Sequence, residues 1–437
     1  MYTLYGDGIH DDQPAIQEMI DSGVCEVVLP APRVCYLIKR TLFLPSNFRL
    51  VLPRFAEIKL ADGANCAMVR NKGVYAPAKR LNEEYYLRAE RRMKERIARG
   101  DKMEKCSMED ARNHVYCFNY YVDEMSPDEA DANVNIELCG GIWNANNLGQ
   151  EPNPQRENIY KVKDFTGKAM IFYNVRNLKI TSLTIKDPTN YAICIDRAKY
   201  FTVSDIFFDF NYGNPVPVNM DGVHIDGNCH YGTVENVQGA CYDDLVALNA
   251  DEGSFGPITN ITVRRLYATD CHSAVRLLTL SSRIENIHIS DVYGTYYQYG
   301  IGLTRFYIGG REGIFHAISM DNIFISKAER YDIYQKKGRF VYAPIHIEGK
   351  CVVGSLKIDT MHRREETTEI PTIYIGEDAD VKDLVLTNIT TENQTDGNTP
   401  LVHNDGRIDT LHVCNLATDG DELFVGKGSI KVQTGTL

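Results

Sequence analysis

The 437-residue chain lacks features that mark several classes of protein. It has no run of about 18 apolar residues, so the sequence predicts no transmembrane helix. Acidic residues (59) outnumber basic residues (47), and the formal net charge of −12 argues against nucleic acid or an anionic membrane as a partner. The first residues, MYTLYGDGIHDD, contain no basic start and no apolar segment. We therefore expect no signal peptide and a cytoplasmic location.

Paired cysteine motifs are also missing. The 12 cysteines include no Cys-x-x-Cys pair and no spacing typical of metal ligands. We therefore expect reduced thiols, no bound metal and no cofactor. The contents of 43% apolar and 24% charged residues are typical of a globular protein.

One apolar pattern recurs from about residue 134 onwards. Apolar residues at positions i, i+2 and i+5 return with a mean step of about 29 residues, a period typical of a solenoid. The copies are Leu178-Ile180-Leu183, Phe201-Val203-Ile206, the weaker Val234 and Val237, Ile261-Val263-Leu266, Ile287-Ile289-Val292, Ile323-Ile325-Ala328, Leu356-Ile358-Met361, Leu384-Leu386-Ile389 and Leu411-Val413-Leu416.

A second series of short strands alternates with the first. Its members are Ile193-Ile195, Val223-Ile225, Val246-Leu248, Val275-Leu277, Ile301-Leu303, Ile345-Ile347 and Ile373-Ile375. No helical periodicity occurs between the two series, so each coil contains several strands and no helix. The sequence therefore predicts an all-β protein, a parallel β-helix solenoid.

The chain is predicted to contain three regions. Residues 1–75 form an N-terminal cap and the first coils, with a capping helix after Asp11 and Asp12. Residues 76–130 form a charged helical insertion, whose segment 79–105 carries ten basic and six acidic residues. A surface helix, a lid and a subunit contact in a homo-oligomer all remain open for this insertion. Residues 131–437 form the β-helix, with the active site on its central coils.

Three carboxylates lie just before two strands of the second series. Asp221 is two residues before Val223, and Asp244, next to Asp243, is two residues before Val246. If the two strands are neighbours, the carboxylates lie at one edge of the sheet, about 4.8 Å apart. Like charges at such distances favour protonation of one carboxyl, which then serves as a proton donor.

Further polar residues share this strand face or its edge. Side chains alternate along a strand, so residues between the apolar positions point outwards. Each residue alone is also compatible with a turn or a surface ion pair, but their common offsets favour a site. The residues expected to bind substrate are His224, Arg276, His272, Asn219, Asp226 and Asn249.

Two stretches resemble the acidic motifs of the polygalacturonase family of glycoside hydrolases. They are Asn219-Met220-Asp221-Gly222 and Tyr242-Asp243-Asp244-Leu245. The segments GDGIHDDQPAIQ and GGIWNANN also resemble the opening of that family. The resemblance implies a right-handed, pectin-lyase-like β-helix and a glycosidase that inverts the anomeric centre. It assigns Asp243 as the general acid, and Asp221 and Asp244 as the pair that activates water.

The sequence departs from the family at two motifs. Cys271-His272-Ser273 is the nearest counterpart of the family's Gly-His-Gly, with the histidine one residue out of phase. The family's Arg-Ile-Lys appears as Arg276-Leu277-Leu278, without the lysine that would bind a uronate carboxylate. The expected substrate is an oligosaccharide or polysaccharide, either pectin-related or another plant-type glycan.

Other functions on the same fold remain open. A polysaccharide lyase would hold calcium with acidic side chains and remove a proton with a basic one. Its calcium ligands would be Asp221, Asp226, Asp243 and Asp244, and its base Arg276 or His224. A non-catalytic carbohydrate-binding β-helix, an epimerase and a transferase are further alternatives.

Overall fold

Parallel strands stack one upon another through most of the computed structural model. The residues that it describes are 3–73, 132–150, 167–210, 219–250, 256–279, 282–305, 312–329, 342–419 and 422–436. The helical insertion predicted at 76–130 lies outside this set. The chain divides into a first unit that ends at Thr233 and a second unit that begins at Val234.

The first unit starts with helix α1 (Gln13–Ile20) and continues in short and long strands. A short 3-10 helix lies at Asn147–Gly149. The strands are β1 (Glu26–Val28), β2 (Tyr36–Ile38), β3 (Leu42–Leu44), β4 (Phe48–Val51), β5 (Glu57–Leu60), β6 (Val69–Asn71), β7 (Asn133–Cys139), β8 (Ile142–Asn144), β9 (Met170–Tyr173), β10 (Val175–Lys186), β11 (Ile193–Asp196), β12 (Lys199–Asp209) and β13 (Val223–Asp226).

Helix α1 follows Asp11 and Asp12, and the carboxylate of Asp11 binds the first amide of the helix. The Asp11 carboxylate accepts a hydrogen bond from the backbone N–H of Gln13 at 3.1 Å. The buried Asp12 carboxylate instead accepts from the N–H groups of Tyr5 and Gly6. Asp12 therefore ties the N-terminal segment to the start of the helix. Within the described ranges, no helix has the length and apolar character needed to cross a membrane.

Parallel pairing in the first unit follows the predicted register. The short strands form one series, β3–β6–β9–β11–β13, and β10 pairs with β7, β8 and β12. Ile180 pairs with Val203, and Ile193 pairs with Val223. Both pairings agree with the apolar columns predicted from the sequence.

The second unit continues the same alternation of long and short strands. The boundary between the units falls within β14. The strands are β14 (His230–Ala240), β15 (Asp244–Asn249), β16 (Ile258–Cys271), β17 (Ser273–Thr279), β18 (Arg283–Tyr296), β19 (Ile301–Arg305), β20 (Gly313–Lys327), β21 (Ile345–Ile347), β22 (Cys351–Val353), β23 (Leu356–Glu365), β24 (Ile373–Ile375), β25 (Asp380–Asn393), β26 (Val402–Asn404), β27 (Arg407–Thr418), β28 (Phe424–Val425) and β29 (Ser429–Thr436).

One predicted repeat of the second unit is wrong. Ile289 pairs with Met320, so the copy that continues the column is Ile318-Met320-Ile323 and not the predicted Ile323-Ile325-Ala328. Strand β20 and the residue that follows it fit the i, i+2, i+5 pattern in two registers, because both triplets are apolar. Only pairing with β18 decides between them. The following copy, centred on Ile358, pairs with Met320 as this corrected register requires.

The central residues of the repeats form the core of each unit. Ile180 in the first unit and Val263 and Ile358 in the second are fully buried. Alternate residues of a strand point to one face, so a strand with apolar residues at every second position has one apolar face. Burying one such side chain contributes about 1.5–3 kcal/mol. The all-β, parallel β-helix class predicted from the sequence is confirmed.

Asparagine residues in the left-handed conformation occupy equivalent bends of successive coils. Asn47, Asn135 and Asn177 have φ values of 59°, 55° and 64°. The amide of Asn135 donates to Asn47 at 2.6 Å, and the amide of Asn177 donates to Asn135 at 2.8 Å. Asparagine enters this conformation more readily than most residues. The same side chain therefore permits the bend and connects one coil to the next.

Replacement of Asn135 should separate these two effects. Asn135→Gly removes the side-chain hydrogen bonds but accepts the positive φ, and we expect a loss of about 1 kcal/mol in the free energy of unfolding. Asn135→Ala adds backbone strain and should cost about 2–3 kcal/mol. Urea unfolding followed by circular dichroism measures both. Equal losses in the two variants would contradict the proposed strain.

Candidate functional site

An imidazole lies between two carboxylates in the first unit. Nδ1 of His224 is 2.6 Å from Oδ2 of Asp221, and its Nε2 is 3.0 Å from Oδ1 of Asp226. His224 and Asp226 are alternate residues of β13 and so point to the same side. All three residues are buried, with exposed fractions of 1–3%. The structure thus brings together three of the predicted site residues.

The two carboxylates determine the charge of His224. Burial lowers the pKa of this imidazole, but the charge of Asp226 and the hydrogen bonds to both carboxylates outweigh burial, so the pKa is well above 6.5. Burial raises the pKa of Asp226, but His224, Lys168 and Cys194 outweigh it, and the pKa is below 3.8. Near neutral pH the group is therefore an imidazolium held by ionised Asp226 and by Asp221.

Three further side chains surround this group. Lys168 Nζ lies 3.3 Å from the thiol of Cys194, which is 3.4 Å from Oδ2 of Asp226. The Tyr191 ring stacks on His224 with centroids 3.9 Å apart, and Lys168 Nζ lies 4.6 Å from the centroid of that ring. Lys168 was not among the predicted site residues.

A regular offset in the sequence identifies Lys168. Met170, Ile193 and Val223 pair in register in β9, β11 and β13. Lys168, Tyr191 and Asp221 each lie two residues before one of them. Applied to β9, the offset rule that selected Asp221 therefore also selects Lys168.

The second unit holds the paired aspartates and the predicted imidazole. Asp244 of β15 pairs with Ser273 of β17, and Asp243 and His272 are the residues that precede them. His272 Nδ1 is 3.5 Å from Oδ1 of Asp243 and 3.0 Å from the Ser273 hydroxyl. The exposed fraction is 8% for Asp243 and 1% for Asp244. The shift in phase relative to the family motif therefore still leaves His272 beside Asp243.

Arg276 connects Asp244 to the next strand. Its Nη1 is 3.8 Å from Oδ2 of Asp244, and its Nε donates to the Thr304 hydroxyl at 3.0 Å. Arg276 also lines a cavity of about 650 Å³ that includes His346 and Tyr374. It is therefore shared by the acidic group and by the cavity of this unit.

Three side chains of the second unit lie close enough together to hold a metal ion. Ligand atoms of Asp243, Asp244 and His272 all lie within 4.8 Å of one another. A mixed set of two carboxylates and an imidazole suits zinc or manganese. Calcium prefers an all-oxygen shell.

The remaining two predicted residues are asparagines that differ in burial. Asn249 pairs with Leu278 and is 2% exposed. Asn219 is half-buried, with a φ of 52°. Asp221 belongs to the first unit and Asp244 to the second, so their predicted adjacency stays a prediction. Substrate binding by the six residues named for it also stays a prediction.

A comparison with protein families matches the central part of the chain. Residues 134–293 match glycosyl hydrolases family 28. This segment includes both acidic motifs, His272 and Arg276. A search among curated proteins finds no match.

Several solved structures are similar in fold. The A-module of a mannuronan C-5 epimerase from Azotobacter vinelandii has a TM-score of 0.60 and 11% identity, with 100% of this chain and 98% of that chain covered. A family 28 exopolygalacturonase from Yersinia enterocolitica has a TM-score of 0.50 and 14% identity, with 99% of this chain and 76% of that chain covered. A tailspike mutant of E. coli bacteriophage HK620 in complex with pentasaccharide has a TM-score of 0.58 and 11% identity, with 99% of this chain and 65% of that chain covered. At these identities the likeness shows the fold.

The family match agrees with the resemblance to the polygalacturonase family, and the solved structures agree with the β-helix that this resemblance implies. The match covers the segment that carries Asp221, Asp243 and Asp244. The solved structures share the parallel β-helix. The chain is therefore similar to glycosyl hydrolases family 28 over residues 134–293, and it shares its fold with the solved structures.

Proposed function

We propose that the chain hydrolyses a glycosidic bond with inversion, with Asp243 as the general acid and Asp221 and Asp244 as the residues that activate water. One observation carries the assignment of Asp243 and Asp244. The two adjacent carboxyls have different surroundings, since Asp243 is the more exposed and lies beside His272, whereas Asp244 is buried beside Arg276. Different environments are how neighbouring carboxyls take the separate roles of acid and base.

The proposed step moves one proton to the leaving group and one away from water. The Asp243 carboxyl protonates the glycosidic oxygen as the bond from that oxygen to the anomeric carbon breaks. A water molecule attacks the anomeric carbon from the opposite face and transfers a proton to the carboxylate pair. His272, 3.5 Å from Asp243, orients the acid. Proton exchange with solvent restores both groups.

His224 acts in this proposal as a positioning residue for Asp221. Its 2.6 Å contact restrains the Asp221 carboxylate, while Asp226 holds the opposite nitrogen at 3.0 Å. An imidazole that is hydrogen-bonded at both nitrogens has a fixed ring orientation. We further propose a carbohydrate substrate that is pectin-related or another plant-type glycan.

The first variant removes the proposed proton donor. Asp243→Asn should lower kcat by about 10²–10⁴ on a natural oligosaccharide, because the amide cannot donate the proton that the carboxyl supplies. The loss should shrink on nitrophenyl glycosides, whose leaving group needs little protonation. Asp244→Asn should show no such rescue, since its role concerns water. Product release by liquid chromatography measures both rates.

Asp205→Asn is the matched control, because Asp205 is exposed and asparagine tolerates its φ of 58°. It should leave kcat unchanged. Full activity of Asp243→Asn on the oligosaccharide would refute the assignment. Loss of activity with EDTA together with an ultraviolet-absorbing unsaturated product would support the lyase instead.

Arg276 should affect the chemical step. A lysine cannot maintain contacts with both Asp244 and Thr304, because it lacks the planar fork of the guanidinium. Arg276→Lys should therefore lower kcat by about tenfold or more, with a smaller change in KM. Steady-state kinetics on the same substrate separate the two parameters. Unchanged kcat and KM would show that Arg276 is not part of the site.

The raised pKa of His224 makes its contribution to stability depend on pH. The contribution is fully present below the unfolded pKa of about 6.5 and is lost as pH rises through the higher folded pKa. His224→Gln should therefore destabilise the chain at pH 6 by roughly 3–5 kcal/mol, because it leaves buried carboxylates without their cation. The difference from the natural sequence should shrink as pH rises.

Urea unfolding at several pH values tests this expectation. His412→Gln is the control, because His412 is a half-exposed histidine of β27 that contacts Asp383 at 3.4 Å. Its effect should be below about 1 kcal/mol at every pH. A His224→Gln effect that grows with pH would contradict the assigned charge.

A further inference from the structure

The outward centres of five short strands in the second unit form a line. They are Arg276 of β17, Gly302 of β19, His346 of β21, Tyr374 of β24 and His403 of β26, and each pairs in register with the next. Parallel strands lie about 4.8 Å apart, so four steps cover about 19 Å. This length matches an extended ligand better than a single small molecule.

The ring of Tyr299 occupies the space left by Gly302. A Cβ atom on Gly302 would lie 2.7 Å from Cε2 and 2.8 Å from Cζ of that ring. The Tyr299 ring is nearly parallel to that of His346, with centroids 6.3 Å apart, and His346 stacks on Tyr374 at 5.1 Å. Tyr299, His346 and Tyr374 thus form a continuous set of rings, here called the ring column.

The ring column lines the cavity of about 650 Å³ together with Arg276. This volume lies within the usual range for ligand sites, about 300–1,000 Å³. Tyr342 closes another side, with its ring perpendicular to His346 at 4.8 Å. The cavity therefore presents aromatic faces and edges to a bound molecule.

Two polar atoms of the ring column have no protein partner among the described residues. They are Nδ1 of His346 and the hydroxyl of Tyr299, and both are buried. Burial, followed by the charge of Lys327, lowers the pKa of His346 to about 3, so its imidazole is neutral at ordinary pH. A neutral imidazole and a phenol offer both donors and acceptors, which suit ligand hydroxyl groups.

Charges in the cavity wall are balanced. Its described lining includes two guanidinium groups, of Arg276 and Arg305, and two carboxylates, of Glu348 and Glu377. Glu348 accepts a hydrogen bond from the backbone N–H of Arg305 at 2.8 Å, and Arg305 Nε donates to the Gly349 carbonyl at 3.0 Å. The wall therefore has no excess of positive charge to attract a polyanionic ligand.

We infer that this cavity binds a saccharide chain of uncharged sugar residues, which pack against the ring column and hydrogen-bond to His346 and Tyr299. The inference rests on the proposed glycosidase function and names its substrate class. The C–H groups of sugar rings pack against aromatic side chains, while the sugar hydroxyl groups satisfy buried polar atoms. A polyuronate would instead bring one negative charge per residue into a wall of balanced charge.

Binding to the full-length Asp243→Asn protein tests the inference without turnover. The probes are tetrasaccharides of galactan, arabinan and xylan, and tetragalacturonate, each titrated by calorimetry. At least one neutral probe should bind more tightly than tetragalacturonate. Tyr374→Ala should weaken that binding by about tenfold, and Tyr374→Phe should retain it because the ring remains. Gly302→Ala should also weaken it by displacing Tyr299.

Tyr267→Ala is the matched control. Tyr267 is an exposed tyrosine of β16 that stacks on Tyr293 with centroids 5.3 Å apart, and it does not line the cavity. It should leave binding unchanged. Preference for tetragalacturonate, no binding of any probe, or unaltered binding by Tyr374→Ala would each overturn the inference.

Hydrolysis of the same tetrasaccharides by the protein with Asp243 intact distinguishes the two proposals. Hydrolysis that depends on Asp243, combined with binding that Tyr374→Ala does not change, would refute the inference. The proposed function would then still stand. Neutral-sugar binding that depends on Tyr374, without hydrolysis of any substrate, would refute the proposed function alone.

Discussion

Parallel, in-register pairing is the constraint on which the rest of the structure depends. It repeats each position of a coil about 4.8 Å further on, so side chains of equivalent positions contact one another. Apolar residues form columns such as Ile180 and Val203. The same geometry lines up the Asn47, Asn135 and Asn177 amides. Packing, bends and functional groups therefore follow from one rule.

The same rule limits where charge can be placed. Like charges at equivalent positions of neighbouring strands repel one another. Lys168, Tyr191 and Asp221 share one offset, and Asp244 pairs with Ser273. An acid-base site can therefore be assembled from short sequence motifs, provided that each motif falls at the correct position in its coil.

Local surroundings then give chemically identical side chains different charge states. His224 and His346 each lie between two buried aliphatic residues of a short strand. Two carboxylates raise the pKa of His224 above its usual value despite burial, whereas burial lowers that of His346 to about 3. The first imidazole is suited to hold a carboxylate, and the second to contact uncharged groups. Strand position alone does not distinguish them.

The sequence by itself determined the β-helix class, the apolar columns and the acidic motifs, because those features repeat at short, regular spacing. Only the tertiary structure decided that Ile318-Met320-Ile323 continues the column, that Lys168 lies beside Cys194, and that Tyr299 fills the space at Gly302. Each of these depends on contacts between coils. A periodic pattern fits more than one register, and the pairing partner selects the one that buries the apolar face.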